Sequence, residues 1–462
     1  MVTIAILASA AVSNFRKEGV RMRRPVICLS RRRAAWAFGI SITAPAAVLS
    51  GCAVSPVSGE RILVGMAERD ELTVDRTMAA HQFSLDMGAI QDPKVNAYVT
   101  EVGERLQRNT HRKSMPYNYR VVNANYLNAY TFPGGSMALT RGIMIELQSE
   151  AELAGVLGHE LGHVNARHAA QRQGQALLAA VALATVEAAT RDSRNRELVG
   201  IGSQLGASVL LASYSREFER EADSLGQEYL ARADYPAAAM VMVHEMLVRT
   251  EKEKPGLLET MFSSHPMSAE RVRNARALAA SRYSLTQHRS IHRERFMDNT
   301  ASLRALKPTI EENRDAELLM GKKKMTEAHS ILRTTLRRSP NDYPTLFRLA
   351  QINQALNHVG EALRYAQEAQ NVYPQEAQAH KLVGVLQMQR GNPAAALTSY
   401  QQYERFLSGD IGVSFLKGLA HESLGDRTLA ARQFQVFLNG GGSGEGATYA
   451  RERMKKWGLT GR

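Results

Sequence analysis

Residues 150–168 read EAELAGVLGHELGHVNARH, and two patterns overlap in them. Leu153, Leu157, Leu161 and Val164 recur at helical spacing, so the segment is a helix that buries one stripe. His159 and His163 stand four apart on another face, where both imidazoles can reach one Zn2+ at about 2.0–2.1 Å. Glu160 follows the first histidine directly and is placed to take a proton from zinc-activated water rather than to bind the metal. A five-residue pattern of this kind also arises by chance on helix surfaces, so the rest of the sequence has to supply what a metal site needs.

A catalytic zinc needs a third protein ligand and one open position. Glu219-Arg220-Glu221-Ala222-Asp223 offers two carboxylates four apart on one helical face, so Glu219 can ligate while Asp223 supports a ligand histidine through its ring N–H. Alone, this segment would be a solvated charged helix. His168 lies five residues past the motif on a different part of the helix, which suits packing or support rather than ligation.

Working outward, the preceding residues form helical patterns over Met66–Met87 and Val95–Leu106, then strand-like alternation over Tyr117–Val122 and Ser136–Thr140 with a turn at Phe132-Pro133-Gly134-Gly135. After the motif comes an alanine-rich helix, Gln175–Ala189, too short and too interrupted to span a bilayer. Beyond about residue 305 the chain repeats every 34 residues. Small residues recur at Ala316, Ala350, Gly384 and Gly418, alanines at 328, 362, 396 and 430, and prolines at 340 and 374. That spacing matches tetratricopeptide repeats, in which a small residue on each helix lets two helices approach closely. Gly440–Gly446 reads as a flexible break before a last helix ending near Trp457.

The formal charge of +13 looks like a nucleic-acid signal, but residues 1–51 carry eight of the Lys/Arg and one of the acids. The remainder holds 50 basic and 44 acidic residues, a net of +6. With aromatics at 6% and no basic stripe interleaved with them, no nucleic-acid partner is expected. The two cysteines, Cys28 and Cys52, leave the body without a pair for an internal disulfide. Cys52 has another use. Arg31, Arg32 and Arg33 precede an apolar stretch, Ala34–Leu49, that ends in Leu49-Ser50-Gly51-Cys52, the order of a charged region, an apolar region and a cleavage site. It resembles a bacterial lipoprotein signal, with a plain secretory peptide and a retained anchor as the alternatives. Met22 is a second candidate start, which would leave residues 1–21 untranslated, and Ser30-Arg31-Arg32 leaves twin-arginine export open. Ala53–Gly59 reads as a polar tether.

Taken together, these segments resemble the HtpX and CAAX-prenyl-protease family of zinc peptidases, and within it the BepA-type periplasmic members with C-terminal tetratricopeptide repeats. The residues that carry the likeness are Asn128-Ala129, Pro133-Gly134-Gly135, Gly158 to His163, Ser215-Arg216 leading to Glu219 and Asp223, and His265-Pro266 followed by Arg271. The resemblance implies one zinc per chain held by His159, His163 and Glu219, Glu160 as catalytic base, and Asp223 behind a ligand. It also implies that His265 can occupy the water position to give a latent form, and that Arg271 stabilises the oxyanion. It implies a gluzincin-type, mostly helical α+β peptidase domain with a small β-sheet over 52–304, followed by an all-α tetratricopeptide-repeat solenoid over 305–462, behind a signal segment at 1–51. Two departures from these relatives are the lipobox and the missing cysteine pair between peptidase and repeats, so looser coupling of the two is expected.

The expected activity is peptide hydrolysis on unfolded or misassembled envelope proteins, with substrate extended along Ser136, Met137, Ala138, Leu139 and Thr140. The expected location is the periplasm, anchored by lipid on Cys52; Ala53 follows it without the aspartate that retains many lipoproteins at the inner membrane, which points to the outer membrane. By the same resemblance, the partner of the repeats is the outer-membrane protein assembly machinery. The rival reading is a chaperone or scaffold that acts through its repeats with a silent protease site.

Overall fold

In the computed structural model, residues 51–190 and 213–459 are described, with side chains over 51–179 and 213–459. The signal segment, with Cys28, Arg31–Arg33 and Leu49-Ser50, lies outside the described residues. The polar tether instead contributes to a small hairpin, Cys52–Val54 (β1) against Arg61–Leu63 (β2), closed where Ser55 N donates to Glu60 O at 2.7 Å. Glu68–Leu85 (α1) and Pro93–Gln107 (α2) fall where the periodicity places helices; Asp92 caps α2 by accepting from Val95 N, and Pro93 fills its first turn.

Asn118–Val122 (β3), Ala129–Thr131 (β4) and Ser136–Thr140 (β5) form a sheet in the order β3-β5-β4. β5 runs parallel to β3 and antiparallel to β4, with Tyr130 opposite Ala138. β4 is only three residues long, too short for its alternation to register in the sequence. The strand expected to receive substrate is therefore the central one. Both edges of β5 are already paired and all five of its residues are buried, so Ser136–Thr140 cannot accept an added strand.

After Arg141–Met144 (α3) come the motif helix Glu150–Asn165 (α4), His168–Thr190 (α5), Arg216–Arg232 (α6), Ala239–Glu253 (α7), Glu259–Ser264 (α8) and Ala269–Ala280 (α9). Ser149 caps α4, accepting from Glu152 N. All of α4 is buried: Leu153, Leu157 and Leu161 pack into one core with Val99, Val102, Leu106 and Leu139. Each such side chain contributes roughly 1.5–3 kcal/mol. No helix among the described residues is long and apolar enough to cross a membrane.

Two short helices, Arg293–Asn299 (α10) and Ala301–Ala305 (α11), lead into the repeats. These are Lys307–Gly321 (α12), Met325–Arg338 (α13), Tyr343–Ala355 (α14), Val359–Val372 (α15), Ala377–Gln389 (α16), Pro393–Phe406 (α17), Ile411–Ser423 (α18), Arg427–Asn439 (α19) and Gly444–Lys456 (α20). The alanines at 328, 362, 396 and 430 are all fully buried. A Cβ on Gly384 would lie 2.3 Å from the Tyr400 ring and one on Gly418 2.4 Å from that of Phe434, so glycine sets how closely each pair packs.

The described chain forms two compact units, Gly51–Leu382 with Gln402–Ser408, and Val383–Gln401 with Gly409–Arg462. The first two helical hairpins thus belong with the peptidase body, although the 34-residue pattern starts at 305. Nor is that junction loose. Arg141 of α3, 2% exposed, reaches Asp342 at 2.6 and 3.3 Å and Asn125 at 2.8 Å, and Asp342 in turn caps α14. This buried pair does the joining that no disulfide does here.

A second tie can be tested by pH. Glu376, just before α16, is buried and accepts from Ser84 Oγ at the end of α1 and from Gln378 N at 3.2 Å. Burial pushes its carboxyl up from 4.5 to about 7. Because the folded value exceeds the unfolded one, the contribution to stability is complete below 4.5 and is lost as pH rises through about 7. The loss amounts to about 3 kcal/mol by pH 9. Urea titrations at pH 6 and pH 9 should show the last part of that fall, about 1.4 kcal/mol, and Glu376→Gln should remove most of it; an unchanged pH dependence in the variant would contradict the assignment.

Candidate metal centre

Two helices that touch at glycine bring the chemistry together. A Cβ on Gly162 of α4 would lie 2.8 Å from Ala222 O of α6, and one on Gly158 would lie 3.2 Å from Gly226 O. The backbones are therefore in contact, which sets His159, Glu160 and His163 of α4 against Glu219 and Asp223 of α6. Ser215 caps α6 by accepting from Phe218 N, and Glu219 lies in its first turn. The loop after α8 brings in His265, whose N–H donates to Met261 O at 2.7 Å.

His159, His163, Glu219 and His265 each point one ligand atom at a common point, all within 4.8 Å of one another, and all four residues are buried. His159 Nε2 lies 3.1 Å from His163 Nε2 and 3.3 Å from His265 Nδ1. Glu219 Oε1 lies 3.3 Å from His163 Nε2 and 3.0 Å from His265 Nδ1. A tetrahedral site with arms of 2.0–2.1 Å has edges of about 3.3 Å, so the spacing and the N3O donor set both fit a metal ion of zinc's preferences.

The outer partners fix which ring nitrogen faces inward. Asp223 Oδ1 is 3.0 Å from His159 Nδ1; a carboxylate only accepts, so Nδ1 carries the proton and Nε2 presents its lone pair. His163 uses a longer relay. Glu221 Oε2 is 3.1 Å from His168 Nε2, so that nitrogen donates, and His168 Nδ1 then accepts from His163 Nδ1 at 2.9 Å, turning His163 Nε2 inward. His168 is thus a supporting residue, but as the first residue of α5 rather than a part of α4. Burial holds the His163 imidazole well below its usual value, which keeps it neutral and able to ligate.

Burial alone would raise the Asp223 carboxyl, but His244 and Arg271 outweigh it and hold the group well below the carboxylate range. Burial would likewise raise Glu219, and His265 and His163 outweigh it there. The Glu160 carboxyl is pushed up by burial against the pull of His265 and His159; Oε1 is 3.8 Å from His265 Nε2 and Oε2 has no hydrogen-bond partner. A carboxylate shifted toward neutrality with a free oxygen suits a general base.

Arg271 is tied to the carboxylates of α6. Its Nε and Nη2 donate to the two Asp223 oxygens at 2.7 Å each, while Nη1 lies 2.6 Å from Glu219 Oε2 and 3.1 Å from Pro266 O. With these contacts it orients the two α6 carboxylates, and of its five N–H groups one on Nη2 is left over. Sequence reasoning missed three supports: Glu221, His244 with Nε2 3.2 Å from Asp223 Oδ1, and Tyr214, stacked on His163 at 4.0 Å. Glu221 stands inside the quoted acidic segment, and His244 interrupts the apolar stripe of α7. Nothing in the sequence marks Tyr214.

Residues 93–279 match the family described as peptidase family M48. The chain is 26% identical over 410 residues to the beta-barrel assembly-enhancing protease of Yersinia pestis, covering 82% of this chain and 84% of that protein. It is 28% identical over 195 residues to the Escherichia coli K12 protein of the same name, 40% of this chain and 39% of that one. It is 26% identical over 254 residues to the metalloprotease YcaL of E. coli K12, 52% of this chain and 96% of that protein.

Proposed function

We propose that this chain, a metalloendopeptidase by virtue of the family M48 domain at residues 93–279, uses zinc to hydrolyse unfolded or misassembled proteins of the bacterial envelope. The observation that carries the metal assignment is the convergence of His159, His163 and Glu219 beside an unpartnered Glu160 oxygen. Zinc, when bound, supplies a Lewis acid that polarises the scissile carbonyl and lowers the pKa of water. Glu160 takes the proton of the attacking water and later delivers it to the leaving amine. Asp223 holds His159 in register, and Glu221 holds His163 through His168.

With β5 closed, extended substrate pairs with β4. Phe132 N donates to Ser136 O at 2.8 Å and Thr140 N to Asn128 O at 3.0 Å, which sets the phase so that the main-chain groups of Ala129 and Thr131 face away from β5. Backbone pairing of this kind admits many sequences, so selection falls on chains that are unfolded. The names of the Yersinia and E. coli relatives support a role in β-barrel assembly, with the repeats engaging that machinery.

His265 occupies the position that the attacking water needs, on a separate loop that can withdraw without moving the other ligands. The resting protein is therefore slow. Unfolded casein is the assay: wild type should cut it, chelation should stop it, and His265→Ala at equal zinc content should cut roughly tenfold faster if the closed form is favoured by about 1.4 kcal/mol. A slower variant would end the latent-form reading.

Anchoring rests on Leu49-Ser50-Gly51-Cys52, and Cys52 is exposed and unpaired in the structure. Lipid on Cys52 places the chain on the periplasmic side, at the outer membrane. Cys52→Ser should abolish incorporation of labelled fatty acid and leave uncleaved precursor; normal labelling and processing would refute the anchor.

A further inference from the structure

A small pocket next to Glu160 plays no part in the proton transfer above. Met240, Val243 and Leu247 face it from one side of α7, Val156 from α4, and Met261 and Met267 from either side of His265. The free volume is about 20 Å3, room for one water or for the tip of a small side chain. Its lining is apolar apart from the centre's own groups and His244, which is 2% exposed. His244 Nε2 faces the Asp223 carboxylate, so it carries a proton, and Nδ1 is left with no partner. A buried ring nitrogen without a partner is costly, and apolar walls offer it none.

We propose that this pocket receives the substrate side chain next to the scissile bond and selects serine or threonine, whose hydroxyl hydrogen-bonds to His244 Nδ1. The inference rests on the peptidase reading above. A peptide carbonyl placed for attack beside Glu160 carries its neighbouring side chain within reach of this opening, because Glu160, His159 and His265 line both. When the His265 loop withdraws, the wall of Val156 on α4 and Met240, Val243 and Leu247 on α7 remains, and it sets the limit that excludes leucine and aromatic side chains. Alanine and valine fit by size but leave His244 Nδ1 unsatisfied. Polar readout by one buried group discriminates more sharply than apolar fit.

Digestion of a denatured protein mixture, with cleavage sites read by mass spectrometry, tests this directly. Wild type should show serine and threonine enriched at one position flanking the cut, about tenfold over alanine and more over leucine or phenylalanine. His244→Leu should bring the ratio of threonine to valine close to one, whatever it does to the overall rate through Asp223; a purely structural role would slow all sites equally. Met240→Ala should admit leucine and phenylalanine. A preference for large or charged residues, no selectivity at either flanking position, or an unchanged threonine-to-valine ratio in His244→Leu would overturn the subsite while leaving the peptidase standing. If no zinc-loaded form cuts any peptide, the peptidase reading falls and the subsite with it.

Discussion

Glu160→Gln should lower hydrolysis of unfolded casein by about 10^2–10^4-fold while leaving bound zinc unchanged. Glutamine keeps the shape of the side chain and cannot accept a proton, and Glu160 is not one of the four residues whose ligand atoms converge. Its Oε2 has no hydrogen-bond partner, so the substitution breaks no bond at that atom. The variant therefore separates chemistry from folding and from metal binding. Cells carrying only Glu160→Gln should fail to clear misassembled envelope proteins. Full complementation by it would favour the scaffold reading, in which the repeats act and the zinc site is silent. Zinc content measured beside activity makes the result decisive: loss of both would move Glu160 from base to structural support.

The second large effect concerns the metal itself. His159→Ala and Glu219→Ala should each reduce zinc from about one per chain to roughly a tenth of that or less, because two remaining protein ligands plus His265 hold the ion far less well than the full set. Glu219→Ala also strips Arg271 Nη1 of its carboxylate and leaves His265 Nδ1 facing only imidazoles. A Glu219→Gln variant keeps an oxygen in place and should retain more metal than alanine. Both alanine variants should keep their helical circular dichroism, since the core formed by Leu153, Leu157 and Leu161 does not depend on them. Full zinc in both would sink the ligand assignment.

What could be read from the sequence followed the reach of its local periodicities. Residues four apart on a helix share a face wherever that helix goes, so His159 with His163, and Glu219 with Asp223, were visible before their helices met. The 34-residue spacing likewise located the buried alanines of the repeats. Which helices and strands are neighbours is a tertiary fact, and the misreadings gather there. β5 reads as a good strand, but only pairing shows that β3 and β4 flank it. Arg271 lies beside the candidate ligands, and only the positions of Asp223 and Glu219 show that most of its N–H groups are turned to carboxylates. The missing cysteine pair suggested a loose junction, whereas Arg141 and Asp342, 201 positions apart, supply a buried one. His244 was hidden for the opposite reason: inside the apolar stripe of α7 it looks like an ordinary core histidine until Asp223 is placed against it.

The most direct test is anomalous scattering at the zinc edge from crystals of the purified protein. The account predicts one full-occupancy peak within about 2.0–2.2 Å of His159 Nε2, His163 Nε2 and a Glu219 oxygen. A zinc peak elsewhere in the chain, or none at these three residues in protein that degrades casein, would contradict it.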